Sequence, residues 1–174
     1  MTAVNFVARV VEALERLGVA YMVVGSFSSN IYGRNRTPGA RGGGGIPARS
    51  ASLIRNDHGG DRYQLRHRAT AFVVEPFLLR DDAFARERFA RRVRGVIQGT
   101  AVFIPTAEDV VVQKLRWSLH PGRQQDLDDA RNVIAIQLGR LDLDYIRRWC
   151  DQHGTRSLFE QLLVESQRFE QEQP

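Results

Sequence analysis

The chain has 174 residues, 43% of them hydrophobic, which suits one compact domain or a domain with a helical appendage. No apolar run approaches the roughly 20 residues of a membrane span, and the first residues lack the basic and long apolar regions of an export signal, so no membrane partner is expected. The formal charge of +5 fits a polyanionic partner such as nucleic acid or a nucleotide, although 24 of the 25 basic residues are Arg, a skew that GC-rich coding produces as well.

Val7, Val10, Val11 and Leu14 follow the spacing of an amphipathic helix, and Gly18 stands where such a helix would close. Residues 21–24 are a short apolar run suited to a buried strand ending at Gly25-Ser26. A short helix is expected from Ser26 to Tyr32, stopping at Gly33. Strand, Gly-Ser turn and helix together predict the first unit of an α/β sheet.

The next stretch breaks the pattern. Residues 38–62 hold 7 of the chain's 15 glycines, four of them consecutive at positions 42–45, together with Pro38 and Pro47. Only Leu53-Ile54 could seed anything apolar, so a disordered loop is expected. Strands are predicted over residues 63–68 and 70–79, the latter the strongest strand signal, then a helix over 82–91. A hairpin follows from 93–97 and 100–104, split by Gln98-Gly99. Thr106 opens a helix with Asp109 at its third position, a variant of the capping box, and Ala107, Val110, Val111 and Leu115 form its apolar face. Three further helices are expected at roughly 124–138, 142–153 and 156–169, the second ending at Gly154. The predicted plan is therefore an α/β core over residues 1–105 and a helical region over 106–174.

Several residues could carry chemistry. Gly25 lets a backbone approach a ligand closely, and the helix start at Ser26 offers N–H groups to a phosphate; the same dipeptide also serves purely steric turns. Glu75 lies among Val73, Val74, Phe77 and Leu78, so on a buried strand it must pair, bind a cation or face a cleft; with Pro76 beside it, it could instead face water on an edge strand. Lys114 is the only lysine in an arginine-rich chain, either a flexible ammonium for a phosphate or a solvated helix residue. Asp126 and Asp129 share a helix face, where they could serve a cleft, pair with Arg123 or meet the helix dipole. Arg34 and Arg36 are phosphate contacts or a solvated basic face. The four histidines have no zinc-like spacing, and Cys150, the single cysteine, forms no internal disulfide and suits a reducing cytoplasm.

These segments, taken in order, resemble a known family. Leu17-Gly18-Val19-Ala20-Tyr21, Val23-Val24-Gly25-Ser26, Ile31-Tyr32-Gly33 and Arg36-Thr37 resemble the opening of the minimal nucleotidyltransferases, in particular the bacterial AbiEii-like branch. The likeness continues through Pro105-Thr106-Ala107-Glu108-Asp109, Lys114-Leu115-Arg116-Trp117, residues 126–132 and Leu141-Asp142-Leu143-Asp144-Tyr145, covering most of the chain except about 38–62. The resemblance implies an α/β (α+β) fold, a mixed sheet with flanking helices and a C-terminal helical half. It also implies Mg2+-dependent transfer of a nucleoside monophosphate from an NTP to an acceptor, a class that includes tRNA, and for some members a toxin with an antitoxin protein as partner. Glu75 stands at the family's third metal-binding carboxylate. Gly25, Ser26, Arg36, Lys114 and Asp129 would bind nucleotide, with Lys114 and Asp126 beside the chemistry.

One part is missing. The family's chemistry needs an Asp-x-Asp on one strand, placing both carboxylates on one face for two metal ions. Gly39, Ala40 and Arg41 stand there instead, and no Asp or Glu occurs from Arg16 to Asn56. Asp57 and Asp61, four apart in a Gly-flanked stretch, do not present such a pair. Losing mere support to a metal ligand costs about 10–100-fold, so losing two ligands should impair catalysis and leave, as the alternative, a non-catalytic nucleotide- or RNA-binding relative. The abrupt Gly/Arg/Pro/Ser bias also fits an out-of-frame translation of residues 38–62, which the other frames of the coding DNA would test.

Overall fold

A computed structural model describes residues 3–33, 52–56, 60–66, 73–97 and 99–171. Helix α1 (Ala3–Arg16) buries Val11 and closes at Gly18, whose φ of 66° only glycine adopts readily. There the Gly18 N–H donates to the Glu15 carbonyl and the Val19 N–H to the Leu14 carbonyl. The strand expected at residues 21–24 does not form. Val23 donates one backbone bond to Phe103, 2.7 Å, and Tyr21 packs edge-on against the Phe103 ring, but residues 21–24 stay only half-buried and carry no ladder. Helix α2 (Ser26–Tyr32) follows as predicted and stops at Gly33.

The stretch expected to be loop contains paired backbone. Strand β1 (Ser52–Asn56) runs antiparallel to β2 (Gly60–Arg66), from Ser52 opposite Gln64 to Asn56 opposite Gly60. A hairpin between neighbouring segments satisfies its own N–H and C=O groups, so it needs little apolar sequence to pair. The rest of residues 38–62 lies outside the described residues. β2 then pairs with β3 (Val73–Val74), with Leu65 opposite Val74. Of the strong strand expected at 70–79, the described residues show β3 at Val73–Val74, ending before Pro76, which cannot donate to a ladder; Phe77, Leu78 and Leu79 are exposed. Helix α3 (Ala83–Ala90) is capped by Asp82, which accepts from the Ala85 N–H at 2.7 Å.

Strands β4 (Val93–Ile97) and β5 (Thr100–Ile104) form the predicted antiparallel hairpin, turning at Gly99 with φ 84°. Gly95 lets Ile104 pack onto the hairpin, since a Cβ there would lie 2.5 Å from the Ile104 Cδ1. The three strand ladders among the described residues, β1 with β2, β2 with β3 and β4 with β5, are antiparallel. The fold is α+β.

The helical half follows its sequence closely: α4 (Ala107–Ser118), α5 (Gln124–Gln137), α6 (Leu143–His153) and α7 (Arg156–Gln171). Thr106 caps α4, Asp142 caps α6, and Gly154 ends α6 in the left-handed conformation. Their apolar faces meet Phe84 of α3 in one core that includes Val111, Leu115, Ile134, Ile146, Cys150 and Phe159, all essentially inaccessible. A smaller core holds Val11, Ile97, Val102 and Ile104, and Tyr32 packs against both. The Tyr32 hydroxyl donates to the Pro105 carbonyl at 3.0 Å, and its own carbonyl accepts from Gln137 at 2.9 Å. These two bonds fix α2 against α4 and α5. Among the described residues no helix is long and apolar enough to cross a membrane.

Candidate functional site

The α2 start is built on Gly25. Its φ of 84° and ψ of −149° lie in a region almost reserved for glycine. Two buried hydroxyls fold back onto it: Ser28 donates to the Gly25 carbonyl at 2.9 Å and Ser29 at 3.4 Å. Ser29 also lies 3.4 Å from the Asp129 carboxylate, so the turn touches α5 directly.

Across from it, Lys114 projects from α4 into a buried ionic cluster. Its Nζ donates to Asp126 Oδ1 at 2.8 Å and to Asp129 Oδ2 at 2.7 Å, with all three side chains at most 11% exposed. Arg123 Nε sits 2.5 Å from the other Asp126 oxygen, and Gln125 donates to the other Asp129 oxygen at 3.0 Å. Trp117, one turn of α4 beyond Lys114, lies under the Arg123 guanidinium at 5.3 Å and near the ammonium at 5.9 Å. Two carboxylates thus meet two cations, and the cluster is neutral. The solvated alternative for Lys114 is excluded, and the expected spacing of Asp126 and Asp129 on one helix face is what lets one ammonium reach both.

Lys114, Gln113 and Trp117 of α4 face Gly25 and Ser28 of α2 across a narrow cleft with about 10 Å³ of free volume, room for one water-sized group. Arg88 of α3 closes its third side. Arg88 is only 6% exposed, donates to the Gln113 side-chain oxygen at 2.8 Å, and stands over the Phe84 ring at 5.6 Å. Its Nε is buried without a hydrogen-bond partner, and among the described residues no carboxylate comes within ion-pair distance. Burial pushes its pKa below the ordinary arginine value, against the attraction of Asp109 and Asp82.

Asp109, also on the cleft, is wholly buried. The Tyr145 hydroxyl donates to one oxygen at 2.5 Å and the Thr106 hydroxyl to the other at 2.9 Å, while Arg91 lies 3.6 Å away and stacks on the Tyr145 ring at 3.8 Å. Burial raises the Asp109 pKa despite these partners, and burial with the hydrogen bond to Asp109 raises that of Tyr145. The capping signal at Thr106 and Asp109 was visible in sequence, but the Tyr145 partner 36 residues away was not.

The structure therefore brings Gly25, Lys114, Asp126 and Asp129 together. It leaves Glu75 elsewhere in character: this residue directly follows β3 and is exposed, so the buried-strand argument for a metal role does not apply to it. Arg34, Arg36, Asp57 and the Ser26 side chain lie outside the described residues, and Asp61 is seen only as backbone, in β2 opposite Arg55. The described carboxylates do not fit a divalent metal. Asp126 and Asp129 hold their oxygens against Lys114, Arg123 and Gln125, and no group of three or more metal-ligating side chains occurs among the described residues. What the cleft can do with its own residues is hold an anion, through Arg88, Lys114 and the Gln113 amide. Arg88 and Gln113 carried no sequence signal, Arg88 being one of 24 arginines. No known protein-family profile matches this chain, and no curated protein sequence gives a significant match.

Proposed function

We propose that the protein is nucleotidyltransferase-like and binds the phosphates of an NTP in the cleft between α2 and α4, with transfer to an acceptor such as tRNA impaired. The observation that carries this reading is the position of Lys114, buried on α4 and facing Gly25 and Ser28 across the cleft. A cation opposite a glycine-permitted turn is a sound arrangement for a phosphate chain. The neutral state of the Lys114 cluster means that an incoming polyphosphate must compete with Asp126 and Asp129 for the ammonium. Impaired transfer follows from the sequence, where the Asp-x-Asp position holds Gly39, Ala40 and Arg41.

Calorimetric titration with ATP, GTP, CTP and UTP in the presence of Mg2+, followed by incubation with labelled NTP and tRNA, tests both halves. Saturable binding of at least one NTP with labelling of RNA at background is the expected result. Absence of binding for all four overturns the nucleotide reading, and rapid labelling of RNA overturns the impairment.

A further inference from the structure

A second cleft adjoins the first, sharing Arg88, Gln113 and Trp117 as a common wall. It encloses about 50 Å³, room for an oxyanion head group of a few atoms, and opens to solvent beside the exposed Phe77 and Leu79. Phe77, Leu79 and Phe84 give it apolar sides, and Arg80, Arg116 and Asp82 complete it. Asp82 is committed to capping α3 and lies 3.5 Å from Arg116 and 3.7 Å from Arg80. Three guanidinium groups thus face one carboxylate, an excess of two positive charges in a partly desolvated space.

Arg88 is the pivot. It is 94% buried by residue, yet its partners are a neutral amide and an aromatic ring, and its Nε has none. A buried guanidinium without a paired anion is costly, and proteins that keep one usually supply the anion. Within the described residues the chain does not. We propose that Arg88 seats the oxyanion of a small ligand in this second cleft, and that the ligand class is a phosphate monoester carried on a flat apolar group. A phosphate dianion matches the charge excess and the forked guanidinium geometry, and Phe77, Leu79 and Trp117 suit an aromatic body. This site shares Arg88 and Gln113 with the first cleft but needs neither Lys114 nor a triphosphate, so it does not rest on the nucleotide reading.

The test is a melting curve of the full chain with phenyl phosphate, inorganic phosphate or phenol, in wild type, Arg88→Met and Gln113→Glu. Phenyl phosphate should raise the wild-type Tm by roughly 3–6 °C at ten times its Kd, inorganic phosphate should act only at higher concentration, and phenol should do nothing. Arg88→Met should abolish the rise while leaving the ligand-free Tm unchanged or higher. Gln113→Glu places a carboxylate where an amide oxygen now lies 2.8 Å from Arg88; it should raise the ligand-free Tm and also abolish the response. The proposal falls if wild type does not respond to phenyl phosphate, or if either variant that folds keeps the full response. It falls too if Gln113→Glu lowers the ligand-free Tm, which would mean that Arg88 is already satisfied by Asp109 and Asp82. Loss of NTP binding with an intact phenyl phosphate response would overturn the nucleotide reading alone.

Discussion

Two buried cations face the same cleft and are treated in opposite ways. Lys114 is met by two carboxylates at 2.7 and 2.8 Å, with Arg123 and Gln125 closing the remaining oxygens. Arg88, equally buried, has one amide oxygen and a bare Nε. The first arrangement ties α4 to α5 and the α2 turn, so its charge does structural work in the ligand-free protein. The second holds a charge that no carboxylate among the described residues meets within ion-pair distance, Asp109 and Asp82 attracting it only from farther off. Burial alone therefore does not separate a structural cation from one kept for a ligand; the completeness of its partners does.

The largest test of this contrast is Lys114→Met. It leaves Asp129, with only Gln125 and Ser29 as partners, and one oxygen of Asp126 buried without their cation, and should cost about 3–5 kcal/mol, a large share of the stability of a domain this size. A shift in the urea midpoint equivalent to less than about 1 kcal/mol would show that the cluster is effectively solvated. Adding Asp129→Asn to the same chain should recover part of the loss, whereas Arg88→Met should lack any comparable ligand-free cost.

A smaller effect separates Asp109, whose partners are complete but whose burial dominates. Its folded pKa is raised above the unfolded value, so its contribution favours the fold at pH below the ordinary carboxylate pKa and is lost as pH climbs through the raised value. Asp109→Asn removes that dependence. The stability advantage of wild type over this variant should be greatest in acid and shrink as pH rises from about 4 upward. Denaturation at a series of pH values measures it, and an advantage that grows with pH would show that the Arg91 and hydrogen-bond terms outweigh burial.

The helical half was legible because its signals are local. Thr106, Asp142 and Gly154 mark helix ends by chemistry that acts within four residues, and Val110, Val111 and Leu115 mark the buried face by spacing alone. The strand predictions failed where the outcome depends on distant chain. Residues 70–79 are apolar enough for a buried strand, but nothing in that run states whether another element covers Phe77, Leu78 and Leu79. The same limit governs the site. The Asp126 and Asp129 spacing predicted a shared face, and Lys114 stood out by its rarity. Their meeting, 12 and 15 residues apart in sequence, depends on how α4 crosses α5. Arg88 was invisible because composition cannot distinguish one arginine among many.

The same tertiary dependence gives Cys150 a use. It is the single thiol, 0% exposed in the helical core beside Trp149, and burial pushes its pKa up. In the native state it is shielded from both reagent and ionisation, so modification must wait for the helices to part. The chain thus carries a built-in clock: the rate at which a thiol reagent labels it counts the opening events of the helical half, without any added probe.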